Sequence, residues 1–325
     1  MNAIVDTTSD LGVWLSKELC VVSGIMSSHL DNKHREINNV CGELAAYKGK
    51  LLRPSLLLLS WRSVSGSSEP PLSVLRAAAV VELIHLATLV HDDVLDEADL
   101  RRGKRTLNSL RGNEAAVMLG DYLLSSAFHL CSTIKSVELN LLLGEVTNTL
   151  CAGEFVQLFH RNDVDLDIDS YYQIIRDKTA SLIAASCEMG AMLGCGSAGA
   201  VEALKNFGGL VGTAFQINDD LLDLLAKRKD IGKPAGRDLE KGKLTLPVIV
   251  MLSSNPSLKA GVQDAMLNND KSTLHSLLES KGAIAAAVNE VGRLVDAAIL
   301  GVSGKITNES SEQLCKLAEQ LKRPF

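Results

Sequence analysis

Between Val74 and Asp99 the chain carries no glycine or proline, and apolar side chains occupy more than one helical face. That pattern predicts a helix of about seven turns, capped by Ser73 and placed at the centre of a bundle. Similar patterns predict a helix capped by Asn113 that runs to about Cys131. Three more are predicted at about Val137 to His160, Ser170 to Leu193 and Ala200 to Leu225. The breaks are short: "SVSGSSEPPLS" (Ser63 to Ser73), the acidic "RNDVDLDID", and the lysine- and glycine-bearing "KRKDIGKPAGRDLEKGK". No alternating strand pattern lasts more than a few residues, no unit of 20 to 50 residues repeats, and no linker-like shift in composition appears. The expectation is one all-α domain over residues 1–325.

Composition agrees. Hydrophobic residues make up 46% of the 325 positions and charged residues 22%, enough for a sizeable core. Aromatics are only 4%, while Leu and Ala abound, which favours helix over sheet. A net charge of −6 argues against a nucleic-acid binder, because phosphate neutralisation needs a basic face. The seven cysteines have no metal-type spacing, so buried thiols in a reducing cytoplasm are expected. No signal peptide is evident, and no uninterrupted apolar run reaches the roughly 18 residues of a transmembrane segment. A peripheral membrane contact stays compatible with this.

Candidate chemistry changes the picture most at "LVHDDVLDEADLRRG", where Asp92, Asp93 and Asp96 follow an apolar run. Their i, i+1, i+4 spacing suggests three carboxylates on one side of a helix. No Lys or Arg stands four residues from any of them. "FQINDDLLD" repeats the pattern with Asp219, Asp220 and Asp223. Like charges set against apolar surface call for a cation. Mg2+ suits them, since it takes a few carboxylates and fills its remaining positions with water and substrate phosphate. The absence of His or Cys ligand spacing within either triplet argues against zinc, and His91 reads as a packing histidine.

Cations suited to a diphosphate lie nearby. "KGKLLRP" offers Lys50 and Arg53 where Pro54 fits a helix first turn, and helix N-termini favour phosphate. Arg101 and Arg102 follow the first triplet, and Arg can grip phosphate with two parallel bonds. Lys178 and Thr179 sit in an otherwise apolar stretch, while Lys233 and Lys243 follow the second triplet.

From about Lys48 to Pro247 the chain resembles the trans-isoprenyl diphosphate synthase family, most closely its long-chain polyprenyl members. The motifs are "GKLLRP", "ELIHLATLVHDDVLDEADLRRG", "GEFVQL", "KTASL", "FQINDDLLD" and "GKPAGRDLEKGKLTLP". The resemblance implies an orthogonal helical bundle of the isoprenoid synthase type and a homodimer. It implies that both triplets hold Mg2+ on an allylic diphosphate, with Asp92, Asp93, Asp96, Lys178, Asp219 and Asp220 as the catalytic set. Arg101, Lys178, Thr179, Gln216, Lys233 and Lys243 would bind that diphosphate. Lys50, Arg53, His85 and Arg102 would bind isopentenyl diphosphate. Lys48 and Arg237 depart from the family pattern, which often has Gly and an acidic residue there; both add positive charge.

The implied reaction ionises the primer, condenses it with isopentenyl diphosphate and eliminates a proton. Ala87 and Thr88 are small where short-chain members often carry a large aromatic, so a product longer than twenty carbons is expected. Phe128 reads equally as the tunnel floor or as ordinary core. The alternatives are a short-chain geranylgeranyl or farnesyl synthase, a non-catalytic subunit of a heteromeric prenyltransferase, and a class I terpene cyclase.

Overall fold

The computed structural model describes residues 9–47, 49–225, 236–268 and 270–322. Lys48 and Lys233 lie outside them. The first helices are α1 (Asp10–Leu30), α2 (Arg35–Gly42), α3 (Leu52–Ser65) and α4 (Leu72–Leu95). A two-stranded ribbon, β1 (Leu100–Arg101) and β2 (Lys104–Arg105), leads to α5 (Leu107–Arg111), α6 (Asn113–Ser132) and α7 (Val137–Phe159). Next come α8 (Ile168–Ile175), a π turn at Arg176–Ala180, α9 (Ser181–Leu193) and α10 (Ala198–Leu225). The chain finishes with α11 (Arg237–Glu240), α12 (Leu246–Ser254), α13 (Lys259–Leu267), α14 (Lys271–Ser280), α15 (Ala283–Val302) and α16 (Glu309–Glu319).

Two compact units organise these elements. Residues up to 147, with 182–208 and 302–317, form the first; residues 148–181 and 209–301, with those from 318, form the second. In the first unit α4 packs chiefly on α6, and also on α1 and α3. Val74, Ala77 to Val81, Leu83, Ile84, Ala87 and Val90 are all fully buried, because α4 is apolar around most of its circumference. It is long and apolar enough to cross a bilayer, but 72% of its most apolar stretch is buried inside the protein. It is a core helix.

Three expected boundaries move. Ser73 is not a cap: α4 starts at Leu72 after Pro71, which supplies no side-chain cap bond. Asn113 is the first residue of α6, and the cap position belongs to Gly112. The helix expected to reach Asp99 ends at Leu95 in a Schellman motif. Glu97 takes the left-handed conformation (φ 46°), its N–H donates to Val94 O, and the Ala98 N–H donates to Asp93 O at 2.8 Å. Asn108 completes the stop by donating to the Asp93 and Ala98 carbonyls.

The ribbon beyond this stop was not expected from the sequence. Its two-residue loop, Arg102-Gly103, has φ values of 50° and 76°, the type I′ geometry that matches strand twist. Only Cys131 and Cys187 are buried thiols; Cys20, Cys151 and Cys195 are exposed, contrary to expectation.

Candidate active site

Helical geometry separates the carboxylates of each triplet. Asp92 and Asp96 are half-buried, but Asp93, about 100° further round α4, is buried. Asp219 is exposed and Asp223 half-buried, while Asp220 is buried. The expectation that each triplet leaves one side is therefore corrected: the middle aspartate turns inward. Asp96 also sits at the C-cap of α4 rather than within the helix.

In the first unit, Arg101 grips Asp93 side-on. Its Nε lies 3.1 and 3.0 Å from Oδ1 and Oδ2, and Nη2 lies 2.9 Å from Oδ1. The charge that offsets this carboxylate thus comes from eight residues along the chain, through the ribbon, instead of one helical turn away. Burial works against the Arg101 charge, but the hydrogen bonds and charge of Asp93 prevail and raise its pKa. Next to this pair, Arg102 lays its guanidinium against Gly49. Lys50 is exposed just before α3. Pro54 falls in the first turn of α3, as its position suggested.

Arg53 is buried on α3, and burial pushes its pKa down to about 10 despite the pull of Glu82. His85, on α4, is held well below its ordinary value by burial and by Arg53, Arg101 and Arg102, so its imidazole is neutral. Glu82 is a buried acid that the sequence reading passed over. Burial pushes it up to about 7, against the attraction of Arg53 and Arg102.

The sign follows from linkage. A carboxyl raised above its unfolded value of 4.5 stabilises the fold below that pH and loses the contribution as pH rises through about 7. At 1.36 kcal/mol per pH unit this amounts to roughly 3 kcal/mol. Glu82→Gln should therefore flatten the fall in stability between about pH 5 and about pH 8. Denaturant melts at the two pH values check it, and an unaltered slope in the variant would count against the assignment.

In the second unit, the Asp220 oxygens accept from Tyr171 Oη at 2.7 Å and Gln216 Nε2 at 2.8 Å. Thr179 donates to Gln216 Oε1 at 2.7 Å, which fixes the amide's orientation. Burial, then the nearby charge of Asp238, raises the Asp220 carboxyl well above its usual value; the Tyr171 and Gln216 hydrogen bonds offset only part of this. Asp223 accepts the Asp238 N–H at 3.0 Å, which ties α10 to α11. Lys178 projects from the π turn, its Nζ 2.9 Å from Gln157 Oε1 and 2.5 Å from Glu154 Oε2, both on α7. Lys243 and Asp238 join Gln157, Tyr171, Lys178 and Gln216 around a small cleft. Such π turns commonly occur at functional sites.

Of the residues assigned to chain length, Ala87 is fully buried. Thr88 is half-buried and donates to His85 O at 2.8 Å. Phe128, on α6, is 37% exposed. His91 approaches Val117 O at 3.2 Å on α6, as a packing histidine should.

Among the described residues, no three Asp, Glu, His or Cys side chains form a group that could hold a metal ion. The donors are all hard oxygens, so they fit a cation that completes its shell with substrate phosphate and water.

A predominantly helical protein with an aspartate set and nearby cations in each unit is suited to a polyanionic ligand. The polyprenyl synthetase family matches residues 34–280, further at both ends than the quoted motifs. The octaprenyl diphosphate synthase of Escherichia coli is 33% identical over 270 residues, covering 82% of this chain and 83% of that one. A decaprenyl diphosphate synthase from Rhodobacter capsulatus superposes with a TM-score of 0.88 at 32% identity, over 95% of this chain and 96% of that one. A polyprenyl synthase from Caulobacter crescentus, complexed with calcium and isoprenyl diphosphate, matches with a TM-score of 0.88 at 30% identity and the same coverage. The chain belongs to the polyprenyl synthetase family, with the isoprenoid synthase fold, and is a prenyltransferase.

Proposed function

We propose that the protein is a Mg2+-dependent trans-polyprenyl diphosphate synthase that condenses isopentenyl diphosphate with an allylic primer to a product longer than twenty carbons. What carries the reading is the gathering, in one unit, of Arg53, His85, Arg101 and Arg102 near the aspartate-bearing end of α4. Bound Mg2+ would be held by Asp92, Asp93 and Asp96 in the first unit and, separately, by Asp219, Asp220 and Asp223 in the second, and would supply Lewis-acid stabilisation of the departing diphosphate. The cations and polar groups given to the allylic diphosphate are Arg101 in the first unit, Lys178, Thr179, Gln216 and Lys243 in the second, and Lys233; their role is to stabilise charge developing on it. Lys50, Arg53 and Arg102 hold isopentenyl diphosphate, to which neutral His85 donates a hydrogen bond. The apolar flanks of α4 keep water from the allylic cation, and the released diphosphate accepts the proton. Incubation with isopentenyl and farnesyl diphosphates plus Mg2+, followed by sizing of the dephosphorylated product, tests the whole reading. No elongation would end it.

Two variants test its parts. Arg53→Ala should mainly raise the apparent KM for isopentenyl diphosphate, and Lys178→Ala should mainly impair the allylic substrate. A common effect on one substrate would refute the division. Ala87→Phe puts a ring about 7–8 Å below Asp92 along α4, in a close-packed wall. Products should shorten to about fifteen to twenty carbons, since roughly a turn and a half of helix limits the growing chain. Wild-type length in that variant would place the chain along another wall.

The protein is cytoplasmic and works as a homodimer under this reading, with a peripheral membrane contact for product release. α7 exposes Val137, Leu141, Phe155 and Phe159, the last at 82%, which supports a covered face. Sedimentation at twice the chain mass is the expected result.

A further inference from the structure

Tyr47 has no assigned role, yet it lies where the first aspartate site is assembled. It is 2% exposed, and a tyrosine so placed needs partners for its hydroxyl. The partners are specific. Its oxygen accepts the Leu107 N–H at 3.1 Å, just after the ribbon, and its hydroxyl lies within interaction range of the Asp93 carboxylate. Its ring faces the Arg101 guanidinium, with Cζ 5.8 Å from the centroid, within cation–π range.

The Arg101 grip on Asp93 uses Nε and Nη2, one edge of the fork. Nη1 lies on the other edge. A guanidinium on a flexible stem loses its bidentate advantage unless its plane is fixed, and here an aromatic face and a clamped carboxylate fix it from two directions.

We propose that Tyr47 is a positioning residue for the allylic diphosphate: its ring and hydroxyl lock the Asp93–Arg101 pair so that the Nη1 edge of Arg101 is held ready for the ligand. This rests on the reading that Arg101 binds that diphosphate.

Tyr47→Phe removes the hydroxyl and keeps the ring. The apparent KM for the allylic substrate should rise about tenfold, the worth of one hydrogen bond to a charged group. The KM for isopentenyl diphosphate should hardly move. Calorimetry with an unreactive allylic thiolodiphosphate and Mg2+ should show the same loss without turnover. Because Tyr47 acts through Arg101, its effect should vanish in an Arg101→Ala background.

If Tyr47→Phe folds poorly in a thermal melt, Arg101→Lys keeps the charge but loses the side-on grip and the planar face set against the ring. It must show the same selectivity for the allylic substrate. An active wild type with an unchanged Tyr47→Phe, an equal loss for both substrates, or an undiminished loss in the Arg101→Ala background overturns the role of Tyr47 alone. A wild type that neither elongates the primer nor binds the analogue removes the functional reading, and the role of Tyr47 with it.

Discussion

Asp219→Ala should lower turnover by roughly a thousandfold or more, because it removes a metal ligand, while leaving the fold intact. Asp219 is exposed on α10, and its removal relieves repulsion with Asp223 four residues on. Its stability change should stay within about 0.5 kcal/mol. Asp92→Ala should show a similar loss of activity. Asp220→Ala makes the informative contrast. It strands the Tyr171 hydroxyl and the Gln216 amide in a buried place, so it should cost about 1–3 kcal/mol of stability as well as activity. Urea melts beside single-turnover rates separate the two behaviours. Near-normal turnover of Asp219→Ala in saturating Mg2+ would remove the second triplet from the reaction.

Gly153→Ala should be nearly as damaging, by a different route. A Cβ there would stand 2.7 Å from the Lys178 backbone nitrogen and 2.8 Å from Asp177 Cβ. The obstruction is the π turn itself, not the end of a flexible side chain. The turn must shift, and Lys178 with it, away from Glu154 and Gln157, which follow Gly153 on α7. Overpacking of this kind costs about 1–3 kcal/mol, and a displacement near 1 Å at a substrate-binding group costs about a hundredfold in rate. Denaturation and kcat/KM measured on one preparation check both. A stable variant with full activity would mean the turn yields without moving Lys178.

Much of this was legible in the sequence because helical periodicity and motif spacing are local. α7 was placed to within one residue of its end, and α10 to within two of its start. Both triplets and their cations could be named. What was missed depends on the third dimension. The stop of α4 relies on Glu97 in a left-handed conformation, where no glycine announces it. The π turn divides an apolar stretch whose sequence reads as continuous helix. Grouping Asp93 with Asp92 overlooked the 100° between neighbours, which sends one inward to Arg101 and leaves the other near the surface. Glu82 did leave a signal, as the one charge in the run Val80 to Ile84. Glu154 and Gln157 stood in the quoted "GEFVQL". Tyr47 and Tyr171 left none, since only folding brings them to Asp93 and Asp220.

The π turn also bears on how the gene can vary. Five residues, Arg176 to Ala180, fill one wide turn between α8 and α9. Deleting a single codon there would give a more regular helix, since i→i+4 bonding is the default. The repair would nevertheless rotate everything on one side of the deletion by about 100° relative to the other. Tyr171 and Ile174, on α8, are buried within the second unit, and Leu182 and Ile183, on α9, within the first, so such a rotation would turn one buried pair or the other out of its packing. Point substitutions can be absorbed one side chain at a time, but a change of length in this segment cannot. Its reading frame of turns is therefore fixed more strictly than its amino acids.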